Sequence, residues 1–372
     1  MDVRIRRAAL PAWADRAPAG CPVVAPMLTA MEPLLDRRHG IVPLVPVVDD
    51  AAPDRLAEPD GYIVAADDGT RLHFLDWGAV EGSPPAAPGR AHAAPGVLLL
   101  HGLAQTAWIW TPVARRVRAR THVVTPDLRG HGLSDSPTAG YDRATLVADA
   151  CAVAEGSGLL AYPGATGPDR LVVAGHGFGG AIAAWLAVDL GPRCAGLVLV
   201  DGGWEDLAST SGRSPEEWLH EIEEPPETLR SMEAFLADRA GFDPPTWDAD
   251  QERAARATVV EAPAGRVVSV VRPHALAASV EALFAYDPLA VLPEVVAPVF
   301  ALVAMDDEAG GRRRALERAA AAVVAVGRGP IHVADLPADG HNLMRYRPIL
   351  VTATIATILA SEPLSASARP PR

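Results

Sequence analysis

The chain has 372 residues, 49% hydrophobic and 21% charged, which suits a globular protein with a large core, and no stretch approaches the ~20 apolar residues of a membrane helix. Its net charge of −13 disfavours a nucleic-acid role, and its 33 basic residues are all arginine, which excludes a phosphate loop built on lysine. Three cysteines (Cys21, Cys151 and Cys194) fit no disulfide framework, and neither they nor the scattered histidines have metal-ligand spacing; reduced thiols in a cytoplasm, no metal and no cofactor are expected.

Residues 1 to about 58 are rich in proline and acidic residues, with short apolar pieces such as Gly40–Val45 and no apolar signal-peptide core; this segment reads as a poorly ordered or surface-wrapping extension. Order is expected from Tyr62. Two strand-like runs, Tyr62–Ala66 and Arg71–Trp77, flank Asp67-Asp68-Gly69-Thr70, a hairpin signal. A Pro/Ala/Gly-rich loop follows from Ser83 to Gly96. Unbroken apolar runs then recur at Val97–Leu100, His122–Asp127, Arg170–Gly175, Leu197–Asp201, Pro298–Ala304 and Ile331–Asp335, with helix-forming stretches such as Ala181–Ala187 between most of them. Continuous apolar strands alternating with helices mean an α/β fold with a mostly parallel central sheet covered on both faces. Residues 204–286 break this rhythm; they are helix-prone and charged, and are expected to form a helical cap without a strand. The core is then 59–203 with 287–361, and 362–372 a loose tail.

Four blocks carry a family resemblance. Val97-Leu98-Leu99-Leu100-His101-Gly102 is similar to the strand and HG loop of α/β hydrolases. Asp127-Leu128-Arg129-Gly130-His131-Gly132-Leu133-Ser134 resembles that family's D-x-R-G-x-G-x-S segment. Gly175-His176-Gly177-Phe178-Gly179 resembles its nucleophile elbow, G-x-S-x-G, and Asp339-Gly340-His341-Asn342 its histidine loop. The blocks keep the family's order from about residue 62 to 360. The resemblance implies an α/β-hydrolase fold with a cap, and His341 as the base. It implies an acid after the penultimate strand, Asp307 with Asp306 second, and backbone amides of Leu103 and Phe178 as an oxyanion hole. His131 and His176 are expected to be structural, as is Ser134. Trp108, Trp110, Trp204 and Trp218 are candidates for the pocket wall, with packing the plainer role.

Glycine stands at 177 where the resemblance calls for serine. Glycine has no nucleophilic atom, so no acyl-enzyme can form there. Three readings stay open. The first is an esterase-like hydrolase, or a lyase acting on a carbonyl compound, whose Asp-His dyad activates water or abstracts a proton. The second is a pseudoenzyme that binds a small apolar ligand with a carbonyl group. The third is a serine hydrolase altered at the nucleophile position. No nucleic acid, membrane or nucleotide partner is expected: Gly175, Gly177 and Gly180 fit a dinucleotide pattern by letter only.

Overall fold

The computed structural model describes residues 40–44, 57–79, 94–161, 168–222, 231–263, 265–304, 310–336 and 340–361. Its strands are β1 (Ile41–Pro43), β2 (Asp60–Ala65), β3 (Arg71–Gly78), β4 (Gly96–Leu100), β5 (Val123–Pro126), β6 (Leu171–His176), β7 (Cys194–Val200), β8 (Val259–Ala262), β9 (Arg266–Ser269), β10 (Val299–Val303) and β11 (Ile331–Asp335). Nine form one sheet in the order β1-β11-β10-β7-β6-β4-β5-β3-β2. The seven strands from β1 to β5 in that order run parallel, while β3 is antiparallel to both β5 and β2.

Every residue of β4, β6, β7 and β10 is buried. A strand covered on both faces has no polar side to alternate with, hence the unbroken apolar runs in the sequence. Alternate residues divide between two layers. Leu98, Leu100 and Val173 face one layer with Leu146, Ile182 and Leu316 of the helices Arg143–Gly156, Phe178–Leu190 and Gly311–Ala325. Val97, Leu99 and Val172 face the other with Val113 and Ile355 of the helices Thr111–Val117 and Pro348–Ala360. Each such side chain contributes about 1.5–3 kcal/mol over an exposed one. Packing therefore fixes the strand ends on which the site is built.

The D-x-R-G-x-G-x-S segment is a structural clasp. Buried Asp127 accepts from Ala107 N (2.7 Å), Leu133 N (3.0 Å) and His73 Nδ1 (2.8 Å). Arg129, also buried, pairs with Asp149 and with Asp68 of the β2–β3 hairpin, each at 2.7 Å. Ser134 Oγ donates to Asp127 O (2.6 Å) and accepts from His73 N (2.9 Å), so its hydroxyl is occupied by structure.

Two local features differ from the sequence expectation. Ile41–Pro43, inside the N-terminal extension, is a parallel edge strand on β11. The segment 204–286 has helices, among them Pro215–Ile222, Met232–Gly241, Ala249–Ala257 and Pro273–Phe284, but also the antiparallel hairpin β8–β9. Val259, Val260, Val267 and Val268 explain it, since β-branched residues on both sides of a turn through Gly265 (φ +72°) favour strands. Residues 1–39, 45–56 and the expected tail 362–372 lie outside the described residues. Among the described residues no single helix is long and apolar enough to cross a membrane.

Candidate active site

β6 ends at His176 and the helix Phe178–Leu190 begins after a single intervening residue, so Gly177 carries the whole change of direction at φ 51°, ψ −115°. Glycine takes this positive φ freely, whereas an L side chain is strained there by about 1–3 kcal/mol. The flanking glycines answer to sterics instead. A Cβ on Gly175 would lie 2.0 Å from Gly179 O, and one on Gly179 would lie 2.4 Å from Leu100 O. Gly175→Ala is therefore expected to destabilise the chain by about 3 kcal/mol, the upper end of typical overpacking costs, as read by urea denaturation.

The elbow faces His341. A Cβ built on Gly177 lies 3.5 Å from His341 Nε2 and 3.8 Å from its Cε1. On the other side of the ring, His341 Nδ1 is 2.5 Å from Asp201 Oδ2. Burial pushes the Asp201 carboxyl up, but the bond from His341 and the charge of Arg312 outweigh it and hold the carboxyl below its usual range. Ionised Asp201 can only accept, so Nδ1 carries the proton and Nε2 is left as a base. Asp201 also accepts from Ala304 N (2.9 Å) and from Arg312 Nη1 (3.1 Å), and Arg312 bonds Glu205 as well. Burial raises the Glu205 carboxyl, with the Arg312 charge countering it.

Asp306 and Asp307 lie outside the described residues. The carboxylate that reaches His341 belongs to the end of β7. Its signal in the sequence was an aspartate closing a buried apolar run, Leu197–Val200, with two glycines behind it. Those glycines allow close approach, since a Cβ on Gly202 would lie 2.7 Å from Gly177 Cα. Asp201 itself has φ 46°, uncommon for a residue with a side chain.

Phe178 N opens its helix, and Leu103 follows the HG turn; both residues line a cavity of about 380 Å³ with Gly177, His341, Asp201 and Arg312. His101 shapes that turn, with Nδ1 donating to Gly102 O (2.8 Å) and Nε2 accepting from Leu128 N (3.0 Å). Gln105 was not singled out in the sequence. Its Oε1 accepts from Gly102 N (3.0 Å) and its Nε2 donates to Asn342 Oδ1 (2.7 Å). His176 Nε2 donates to His341 O (3.1 Å), while its Nδ1 lies 3.0 Å from Gln105 Oε1. The HG turn, the elbow and the histidine loop are thus tied together. Of the four tryptophans, Trp218 lines the cavity and Trp204 is buried beneath Arg312. Trp110 sits in the core, and Trp108 stacks on Arg253.

Residues 97–354 match the profile described as "Alpha/beta hydrolase family". The chain is 32% identical over 121 residues to the soluble epoxide hydrolase of Corynebacterium sp. strain C12, covering 32% of this chain and 34% of that one. It is 30% identical over 170 residues to lipase LipV of Mycobacterium tuberculosis, covering 45% and 57%. It thus spans only a third to a little over half of the length of these curated relatives. The crystal structure of E-2-(acetamidomethylene)succinate hydrolase superposes with a TM-score of 0.59 at 17% identity, over 82% of this chain and 100% of that one, a likeness of fold alone. The family match covers well over half of the sequence and the central sheet is mostly parallel, so the chain belongs to the alpha/beta hydrolase family.

Proposed function

We propose that the protein hydrolyses an ester or related carbonyl compound without an acyl-enzyme, through water activated by His341 and Asp201. The observation that carries this reading is the 3.5 Å between His341 Nε2 and the Cβ position of Gly177. A base is aimed at the place of attack, and no side chain stands there. Water seated beside Gly177 would pass a proton to Nε2 as its oxygen bonds the carbonyl carbon. The carbonyl electron pair moves onto oxygen, held by the Leu103 and Phe178 amides. Collapse then breaks the bond to the leaving alkoxide, which takes the proton back from His341. Asp201 keeps the tautomer and stabilises the imidazolium. The names of two relatives, a lipase and an epoxide hydrolase, support hydrolytic chemistry in this scaffold.

A positioned base contributes about 10²–10⁴-fold, and each oxyanion donor about 10²–10³-fold, so turnover is expected to be modest beside that of a complete triad. His341→Ala is expected to lower p-nitrophenyl acetate turnover by roughly 10²–10⁴-fold, with Asp201→Asn falling in the same direction. Turnover that survives His341→Ala unchanged would sink the reading. Gly177 itself favours a second reading, a pocket that binds a carbonyl ligand without converting it; under that reading the unaltered chain shows no turnover above the His341→Ala background.

A further inference from the structure

The cavity beside Gly177 is lined by more polar side chains than the proposed reaction uses, and most of them are engaged. Tyr286 Oη donates to Gly203 O (2.7 Å). Gln105 is tied to Gly102 and Asn342, and His176 to His341 O and Gln105. Asp201 is fully buried and is bonded to His341, Ala304 N and Arg312. Glu205 differs. Its Oε1 accepts from Arg312 Nε, while among the described residues its Oε2 has no hydrogen-bond partner. The side chain is 16% exposed and lines the cavity, so that oxygen is within reach of a ligand there. Glu205 stands three residues beyond Gly202, whose Cβ position is 2.7 Å from Gly177 Cα, and so shares the cavity of the elbow. Arg312 is divided between the Asp201 and Glu205 carboxylates, which leaves these three side chains with one negative charge. The wall around them is apolar, with Leu207, Trp218 and Leu283. A carboxyl oxygen left without a donor in such surroundings is costly, and a cationic donor recovers that cost through a charge-assisted bond. Burial raises the Glu205 carboxyl, and a cation beside it favours the ionised form.

We propose that Glu205 is a specificity-determining residue that selects carbonyl substrates bearing a primary ammonium group, bonded by Oε2, with the apolar part of the substrate against Trp218 and Leu283. The assignment deepens the reading above and rests on it for the place of the carbonyl, at the Leu103 and Phe178 amides; the ammonium contact itself involves no turnover. A ligand with a carboxylate in place of the ammonium would meet the like charge of Glu205 and be rejected.

Isothermal titration of the full chain at pH 7 with 2-phenylethylamine, an ammonium at that pH, tests it against neutral 2-phenylethanol of the same shape. Saturable amine binding is expected, with the alcohol weaker by about tenfold or more, the loss of one charge-assisted contact. Glu205→Gln keeps the shape and an amide oxygen for Arg312, and is expected to bring the two ligands within about twofold of each other. Circular dichroism melting checks that the variant is folded. Should it fail to fold, Leu207→Arg, at a partly exposed position of the same wall, carries the test; its added cation is expected to weaken the amine by about tenfold or more. Neither ligand can be hydrolysed, so a failure of the hydrolytic reading, seen as p-nitrophenyl acetate turnover unchanged in His341→Ala, leaves this comparison standing. Absence of saturable amine binding, equal binding of the alcohol, or a preference unchanged in the folded Glu205→Gln or Leu207→Arg variant would each overturn the proposal.

Discussion

Gly177→Ser is expected to raise turnover of short p-nitrophenyl esters by several orders of magnitude and to make the chain react with a fluorophosphonate probe. The geometry asks for little rearrangement. The Cβ site is 3.5 Å from His341 Nε2 and 3.9 Å from Gly102 Cα, both ordinary contact distances, so an added hydroxyl falls within hydrogen-bond reach of the base. Loss of the nucleophile from a working triad costs about a million-fold and leaves about 10³–10⁴ over water, and the substitution runs that comparison backwards. The same change should cost about 1–3 kcal/mol of stability, because φ at 177 stays at +51° while the residue gains a Cβ. A variant that folds yet neither labels nor turns over ester would show that the His341–Asp201 pair is not arranged for nucleophilic activation. A clear rise in melting temperature would contradict the strained turn.

Acidification should destabilise the chain from just below neutrality, well before carboxylates begin to titrate. His101 is buried with Nδ1 donating and Nε2 accepting, a pattern that only the neutral ring satisfies. His131 is buried too; its Nδ1 donates to Arg129 O, and among the described residues Nε2 has no partner. Burial lowers the pKa of both rings, and burial with the neighbouring His101 charge pushes His131 down to about 3. Both folded values thus lie below the ordinary value near 6.5. The unfolded chain takes up these protons first, so the stabilisation is present above about pH 6.5 and drains away as pH falls. A ring held as low as His131 gives a slope of up to about 1.4 kcal/mol per pH unit below about pH 6, to which His101 adds, against a typical total stability of about 5–15. Burial and the neighbouring His341 charge push His176 the same way, well below its ordinary value, with the Asp201 charge and the His341 carbonyl only partly countering them, so it adds to the slope. Urea denaturation at intervals from pH 7 to 5 should show the slope, and His131→Asn, which keeps a donor for Arg129 O, should lower it by about 1.4 kcal/mol per pH unit. A flat profile over that window would mean that these buried rings take up protons in the folded state.

Much of the sheet was legible because burial on both faces leaves unbroken apolar runs, as in Val97–Leu100 and Leu197–Val200. The elbow was legible because sterics at Gly175 and Gly179 and the turn at Gly177 leave a mark in residue type. The partner of His341 was not. Aspartates follow both β7 and β10, and which one meets Nδ1 depends on a backbone twist at Asp201 (φ 46°) that no residue type announces. The Gln105 bonds to Gly102 and Asn342 were hidden for a related reason, since they join positions up to 237 residues apart. The hairpin β8–β9 was obscured by the helix-forming residues around two short valine pairs.

The two margins of the sheet are guarded unequally. β1 is three residues long and ends in proline, which has no amide hydrogen to offer a further neighbour, so ladder growth stops there. β2 is twice as long, with Tyr62 50% and Ile63 62% exposed. If copies of this chain were ever to polymerise edge to edge, that strand, far from the Pro43 end, is where recruitment would begin.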